Sequence, residues 1–297
     1  MEAVFYLARE GLDDLFAALR TAGYAVLGPR RQDGVISLDS LEDSGDLPWG
    51  VSDRQEPGSY RLETGETDRA FFWTTTAQGI KPLCFAPREI LWNAQRDTSG
   101  AIRFEPQQAP TPKIAVLGVR ACDLAGLQLQ DRHFQERGDT WYARRRENLL
   151  LVAVNCARAG KTCFCASTGD GPAARDGYDL LLDELDAGFL IRAGSRTGAA
   201  LLSALDTRGA TPDQIGQARN QTLSAAQMQE RRLPSTDLQE SIAARRGARA
   251  WDSIAETCLA CGNCTSVCPS CFCHSHEEET ELGGRRSTHV RRWDSCF

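Results

Sequence analysis

The sequence predicts an α/β domain, a mixed sheet with a parallel βαβ unit, followed by a small helical cysteine-rich domain. Three observations predict it. Two apolar runs, Lys113-Ile-Ala-Val-Leu-Gly-Val119 and Leu149-Leu-Leu-Val-Ala-Val154, are continuous and rich in β-branched residues, as strands buried on both faces are. Between them, Leu124 to Phe134 is helix-like behind Asp123, a capping residue type, so the unit reads as a right-handed crossover. Near the other end runs Cys258-Leu-Ala-Cys261-Gly-Asn-Cys264-Thr-Ser-Val-Cys268-Pro269. Its Cys-x2-Cys-x2-Cys-x3-Cys-Pro spacing is that of a 4Fe–4S ferredoxin loop, which makes the second domain ferredoxin-like.

The chemistry explains that spacing. A cubane needs four thiolates, and two-residue gaps let one tight loop aim three sulfurs inward. Gly262 gives the backbone freedom to turn beside inorganic sulfide, and Pro269 closes the loop without a spare N–H. The amides around Gly262 and Asn263 are the candidate donors to the sulfurs. A zinc knuckle also uses Cys-x2-Cys, but usually as two separated pairs.

The chain of 297 residues, 41% hydrophobic and 25% charged, has the composition of a soluble globular protein of about two domains. Its net charge of -6 argues against a general nucleic-acid binder. No apolar run reaches the length of a membrane span. Met-Glu-Ala-Val-Phe-Tyr has no basic n-region, so no signal peptide is expected and the location reads as cytoplasmic. Twelve Cys in a reducing compartment read as metal ligands rather than disulfides.

Taken in order, Leu12, Leu15, Phe16 and Leu19 recur at helical spacing, with Gly23 as the stop. Val26 to Leu41 reads as strands with turns at Gly28-Pro29 and Asp33-Gly34. Phe71-Phe72-Trp73-Thr74 reads as a strand. Ile80 to Glu89, with Pro82 and Pro87, reads as an irregular surface segment in which Cys84 is a buried apolar residue. Residues 105–112 are a Pro-rich connector. Asp179 to Leu185 and Phe189 to Arg192 flank a hairpin turn. Residues 198–205 and 212–246 are mostly helical, broken near Pro234. Trp251 to Glu256 is a helix turn entering the Cys loop. Arg144-Arg-Arg146, Arg245-Arg246 and the acidic run Glu277 to Glu281 read as solvated, and His274, His276 and His289 as spare surface histidines. The expected boundaries are 1–210 for the α/β domain, 211–250 for a helical linker, and 251–297 for the ferredoxin-type domain.

If the two apolar strands are neighbours, Cys122 and Cys156 both sit at carboxyl ends of a parallel sheet, the edge where such sheets hold ligands. Cys163 and Cys165 follow on a loop. Four thiols then converge on one crevice; the plainer alternative is two core cysteines plus a loop pair. Cys271, Cys273 and Cys296 add sulfurs to the closing segment.

Several stretches together resemble a known family. They are Gly-Val-Arg120-Ala-Cys122-Asp123, Tyr142 to Asn148, Val-Asn-Cys156, Thr-Cys163-Phe-Cys165-Ala-Ser, Cys258 to Thr265, Cys268-Pro-Ser-Cys271-Phe-Cys273 and Trp-Asp-Ser-Cys296-Phe. The chain resembles the iron–sulfur beta subunit of cytosolic sulfhydrogenases, hydrogenase/sulfur-reductase complexes, in the same family as the anaerobic sulfite reductase A subunit. The resemblance implies an electron-transfer subunit between a flavin/NAD(P)-binding subunit and hydrogenase or sulfite-reductase subunits, with no nucleic acid or membrane partner. It implies at least one 4Fe–4S cluster, and two or more if the middle cysteines also ligate. Family members carry a second ferredoxin motif beyond Trp-Asp-Ser-Cys-Phe, and no second motif lies within these residues. In two-cluster loops the fourth Cys serves the other cluster. The fourth ligand for Cys258, Cys261 and Cys264 is then sequence outside this stretch, or one of Cys268, Cys271, Cys273 and Cys296.

No Gly-x-Gly-x-x-Gly follows a strand, so no dinucleotide site is expected. Two alternatives stand beside the electron conduit. One is polysulfide reduction in the cysteine-lined crevice, with Arg120 and Lys161 holding the anion. The other is a zinc-stapled interaction module.

Overall fold

The computed structural model describes residues 3–76, 78–234 and 237–294. The chain divides into two compact units. The first comprises residues 1–78, 113–125 and 149–259, and the second residues 79–112, 126–148 and 260–297.

The first unit is α/β. Among the described residues its sheet has eight strands, in the order Arg208–Gly209, Phe5–Ala8, Gly188–Ala193, Leu180–Leu185, Leu149–Val154, Ile114–Val119, Ala25–Gln32 and Val35–Ser40. The two apolar runs are adjacent and parallel, Ile114 opposite Leu149. Ala25–Gln32 and Leu180–Leu185 pair with them in parallel on either side. The outer pairs are antiparallel, including the expected hairpin with Leu185 opposite Gly188. Every residue of Leu149–Val154 is buried, as a central parallel strand covered on both faces requires. The helix Gly11–Thr21 buries Leu12, Leu15, Phe16 and Leu19 into a core with Val152, Leu182 and Phe189.

The Phe71–Thr74 stretch corrects its reading as a strand. It is irregular and buried. Its backbone is satisfied by distant side chains: the Ala70 and Phe71 amides donate to the Glu184 carboxylate (2.6 and 2.8 Å), and Thr74 N–H to Asp53 (2.8 Å). Aromatic residues favoured burial here, but side chains rather than a partner strand took the hydrogen bonds.

The second unit carries an antiparallel sheet in the order His274–Thr280, Arg286–Trp293, Arg88–Arg96 and Ile102–Pro106. Three readings change in this unit. The acidic run is not a loop but most of a strand, held across the sheet by Arg88 to Glu279 (2.7 Å) and Arg292 to Glu277 (3.0 Å). The segment after Ile80 is not a surface wrap. It contains a one-turn helix, Lys81–Cys84, with Pro82 in its first turn, and it buries Lys81, Cys84 and Phe85. Two of the three arginines at 144–146 are not solvated. Arg145 pairs with the fully buried Glu89, and Arg146 with Asp131 (3.2 Å). Arg291 also donates to Glu89 (Nε, 2.7 Å) and pairs with Asp139. Asp139 caps the helix Thr140–Glu147 through Tyr142 N–H (2.9 Å).

Replacing Glu89 by alanine leaves the Arg145 and Arg291 guanidiniums without their buried carboxylate. The expected loss is roughly 3–5 kcal/mol, read from the urea midpoint of the intact chain. A loss below about 1 kcal/mol, the range of exposed pairs, would mean that the triad is solvated.

Candidate metal centres

Two cysteine groups need separate accounts. In the first unit, the strand Ile114–Val119 slips register between Leu117 and Val119. Gly118 sits at this bulge with φ +86°, and a Cβ there would lie 3.1 Å from Pro29 and 3.2 Å from Phe71. Only glycine fits both the angle and the space. The bulge is followed at once by Arg120, and the helix Ala121–Gln135 begins with Cys122 in its first turn. Asp123 does not precede that helix as a cap. It lies inside the first turn and accepts the Arg120 N–H (3.4 Å), the reciprocal half of a capping box.

Arg120 is 1% exposed. It donates to the carbonyls of Phe71 (2.8 Å), Trp73 (2.7 Å), Val154 (3.3 Å) and Asn155 (3.4 Å), and lies 4.2 Å from the Trp73 ring centroid. Its Nε has no hydrogen-bond partner.

Cys156 follows the second apolar strand, its N–H bonded to Pro172 O (3.2 Å). Asn155 fixes the corner by donating to Asp183 (2.7 Å) and accepting from Ala174 N–H (2.8 Å). Cys163 N–H closes a turn onto Gly160 (3.0 Å). Cys165 opens the one-turn helix Cys165–Thr168, which ends on the left-handed Gly169. Buried Gln229 donates to the Cys165 sulfur (3.2 Å) and accepts from Ala166 N–H (2.9 Å). Nothing in the sequence around Gln229 announces that contact.

The four thiols feel one another. Burial raises all four, with Cys156 pushed up to about 11 and Cys122 well above the ordinary thiol range. Cys122 is exposed as a residue, but protein packs densely around its sulfur. Neighbouring thiols add to the rise, while the Arg120 charge lowers Cys156 and Cys163. Around the loop 170–172, Cys156 N–H meets Pro172 O, and Gly171 lies against the Cys165 sulfur and Ala121, the neighbour of Cys122.

In the closing segment, the helix Arg249–Thr257 ends at Cys258, whose N–H bonds to Ala255 O (3.1 Å). Gly262 takes φ +70° to start the short helix Asn263–Val267. Cys261 and Cys264 are exposed, while Cys268, Cys271 and Cys273 are half-buried. Cys268 N–H closes onto Cys264 O (3.0 Å). Gln130 donates to Pro269 O (2.8 Å) and Cys271 O (3.3 Å).

Sequence reasoning missed Lys81. It is buried, donates to Thr265 O (2.7 Å), and stands 3.8 Å from the Trp293 ring centroid. Burial lowers its pKa, against the pull of the Cys271 and Cys268 sulfurs. Cys84 is fully buried, its thiol pushed up to about 12 by desolvation, as an inert core residue is. Cys296 lies outside the described residues.

Among the described residues no three His, Cys, Asp or Glu side chains gather closely enough to hold one metal ion. A cubane spreads its ligands over four irons rather than one ion. The left-handed Gly262 and the buried Lys81 beside Cys268 and Cys271 suit a sulfur-bound anion. Residues 257–297 match the model of a 4Fe-4S dicluster domain. Over 246 residues the chain is 29% identical to sulfhydrogenase 2 subunit beta of Pyrococcus furiosus, covering 80% of this chain and 70% of that one.

The chain is thus similar to a sulfhydrogenase beta subunit. It is an iron–sulfur electron-transfer subunit with 4Fe–4S clusters. No helix of the chain, among the described residues, is long and apolar enough to cross a membrane. The two cations named as anion holders for sulfur chemistry both have protein partners. Lys161 pairs with Glu56 (2.8 Å), and Arg120 serves four carbonyls. Of the three histidines, His276 and His289 meet at 3.0 Å, while His274 bonds to Phe272 O (2.9 Å).

Replacing Gly118 by alanine forces a side chain into the left-handed bulge against Pro29 and Phe71. The chain should lose about 1–3 kcal/mol of stability, measured by urea unfolding. An unchanged midpoint would show that the bulge is free to relax.

Proposed function

We propose that this chain relays electrons between a flavin subunit that exchanges them with NAD(P)H and a hydrogenase or a sulfur- or sulfite-reducing centre. The observation that carries the reading is the ferredoxin spacing from Cys258 to Pro269 inside the dicluster match, with buried Lys81 bonded to Thr265 O of that loop (2.7 Å). When bound, a 4Fe–4S cubane takes up or gives up one electron with little rearrangement, because the charge spreads over four irons. Cys258, Cys261 and Cys264 supply three thiolates from one loop, and Cys268 serves the partner cluster as in two-cluster ferredoxins. Cys271 and Cys273 are the further ligands of this segment. The Gly262 and Asn263 amides orient donors towards the sulfurs, which raises a cluster's potential.

Lys81 does the same with a full charge, held in place by Thr265 O. The partner identities are supported by the relative's name, a sulfhydrogenase subunit.

The test is anaerobic purification with iron and sulfide counting and EPR after dithionite. Cys264→Ser should lose about four iron per chain and one reduced-cluster signal. NADPH should leave the chain alone oxidised and reduce it only when a flavin partner is present. Colourless, zinc-loaded protein would end the relay reading. Lys81→Met removes a buried positive charge beside Cys268 and Cys271, so one midpoint potential should fall, on the order of tens of millivolts. A potential that stays put would mean that Lys81 only supports the Thr265 carbonyl.

A further inference from the structure

The dicluster match begins at residue 257 and leaves four cysteines of the first unit unassigned. We propose that Cys122, Cys156, Cys163 and Cys165 hold a further 4Fe–4S cluster at the carboxyl edge of the parallel sheet, with Arg120 as its buried counter-charge. This goes beyond the relay role and does not depend on which partners that role requires.

Four observations point the same way. First, the thiols come from three separate places: the first turn of a helix, the end of a central strand and a loop. Cys156 N–H bonds to Pro172 O (3.2 Å) and Asp170 N–H to Cys165 O (3.1 Å), so the loop 170–172 ties two of these places together. Second, Cys156, Cys163 and Cys165 are half-buried, where a bare thiol finds few partners. Metal–thiolate bonds are the usual compensation, with the thiol protons leaving to solvent.

Third, the surroundings are built for sulfur and for negative charge. Gln229 aims its amide at the Cys165 sulfur (3.2 Å), an outer contact of the kind that tunes cluster ligands. Arg120 is buried, its Nε has no partner, and its Nη1 donates to Asn155 O (3.4 Å), the residue before Cys156. Four thiolates on a cubane make a net anion, which a buried guanidinium stabilises. Fourth, the same loop sets Cys165 against the start of the helix that carries Cys122. A Cβ on Gly171 would lie 2.9 Å from the Cys165 sulfur and 3.4 Å from Ala121.

A single zinc ion is the competing occupant. It draws its sulfurs around one point, where a cubane spreads them over four irons, and metal counting separates the two.

The test uses the full chain, assembled with iron and sulfide under anaerobic conditions. The Cys156→Ser/Cys163→Ser double variant should lose about four iron and as much sulfide per chain, while the EPR signals removed by Cys264→Ser persist. Unchanged iron and sulfide overturns the proposal and leaves the ferredoxin-loop reading intact. Loss of one zinc in their place, or of about two iron, overturns the cubane.

Should the double variant not fold, unmodified protein decides. In the holoprotein Cys156, Cys163 and Cys165 should resist iodoacetamide, and after iron chelation their labelling under denaturing conditions should be complete. Labelling of the same peptides in folded holoprotein at the rate seen after chelation overturns the proposal. Arg120→Gln should shift one midpoint potential negative, distinct from the one moved by Lys81→Met. If only stability changes, Arg120 is structural and not the counter-charge.

Discussion

A charge without water needs its donors satisfied, and in the first unit that charge is Arg120. Burying a guanidinium costs several kcal/mol. Each hydrogen bond to a charged group returns about 1.5–3 kcal/mol, and Arg120 makes four to backbone carbonyls. Those carbonyls belong to the Phe71–Trp73 loop and to the end of the second apolar strand. The guanidinium therefore ties an irregular buried loop to the sheet edge that carries the cysteines. Glu184 works from the other side of the same loop, accepting the Ala70 and Phe71 amides. Burial raises its pKa and the Arg69 and Arg120 charges lower it. Donor and acceptor thus hold opposite polar groups of one segment, which lets that segment stay buried without regular structure.

How much of this was legible follows from where each signal resides. The two apolar strands and the Asp179–Arg192 hairpin are local patterns, and the sheet repeats them. The ferredoxin spacing is likewise local, since one loop carries most of its chemistry. Phe71–Thr74 misled because its aromatic residues fit a strand, while its hydrogen bonds depend on Asp53, Arg120 and Glu184, which are remote in sequence. The acidic run misled in the opposite sense. Its charges are solvated as expected, but they line a strand that Arg88 and Arg292 pair with across the sheet. Gln229 and Lys81 gave no sequence signal, because neither lies in a motif. Their importance comes wholly from what they touch.

The middle cysteines lie between these extremes. Their positions at strand ends followed from the parallel arrangement, but convergence with Cys163 and Cys165 required the fold. The Gly118 bulge decides it locally. A regular strand would carry its alternation straight through position 120. The extra residue at the bulge re-aims the chain, so that Arg120 enters the interior and Cys122 opens the helix.

Both cysteine regions place a buried cation near sulfur, yet with different residues. Arg120 must address four carbonyls on two segments, which the planar, many-donor guanidinium allows. Lys81 serves Thr265 O and stands over Trp293, a task for a compact point charge on a flexible stem. A lysine at 120 would leave most of those carbonyls unmatched, and an arginine at 81 would bring donors for which only one carbonyl waits. The choice of cation in each region follows from the number of backbone acceptors around it.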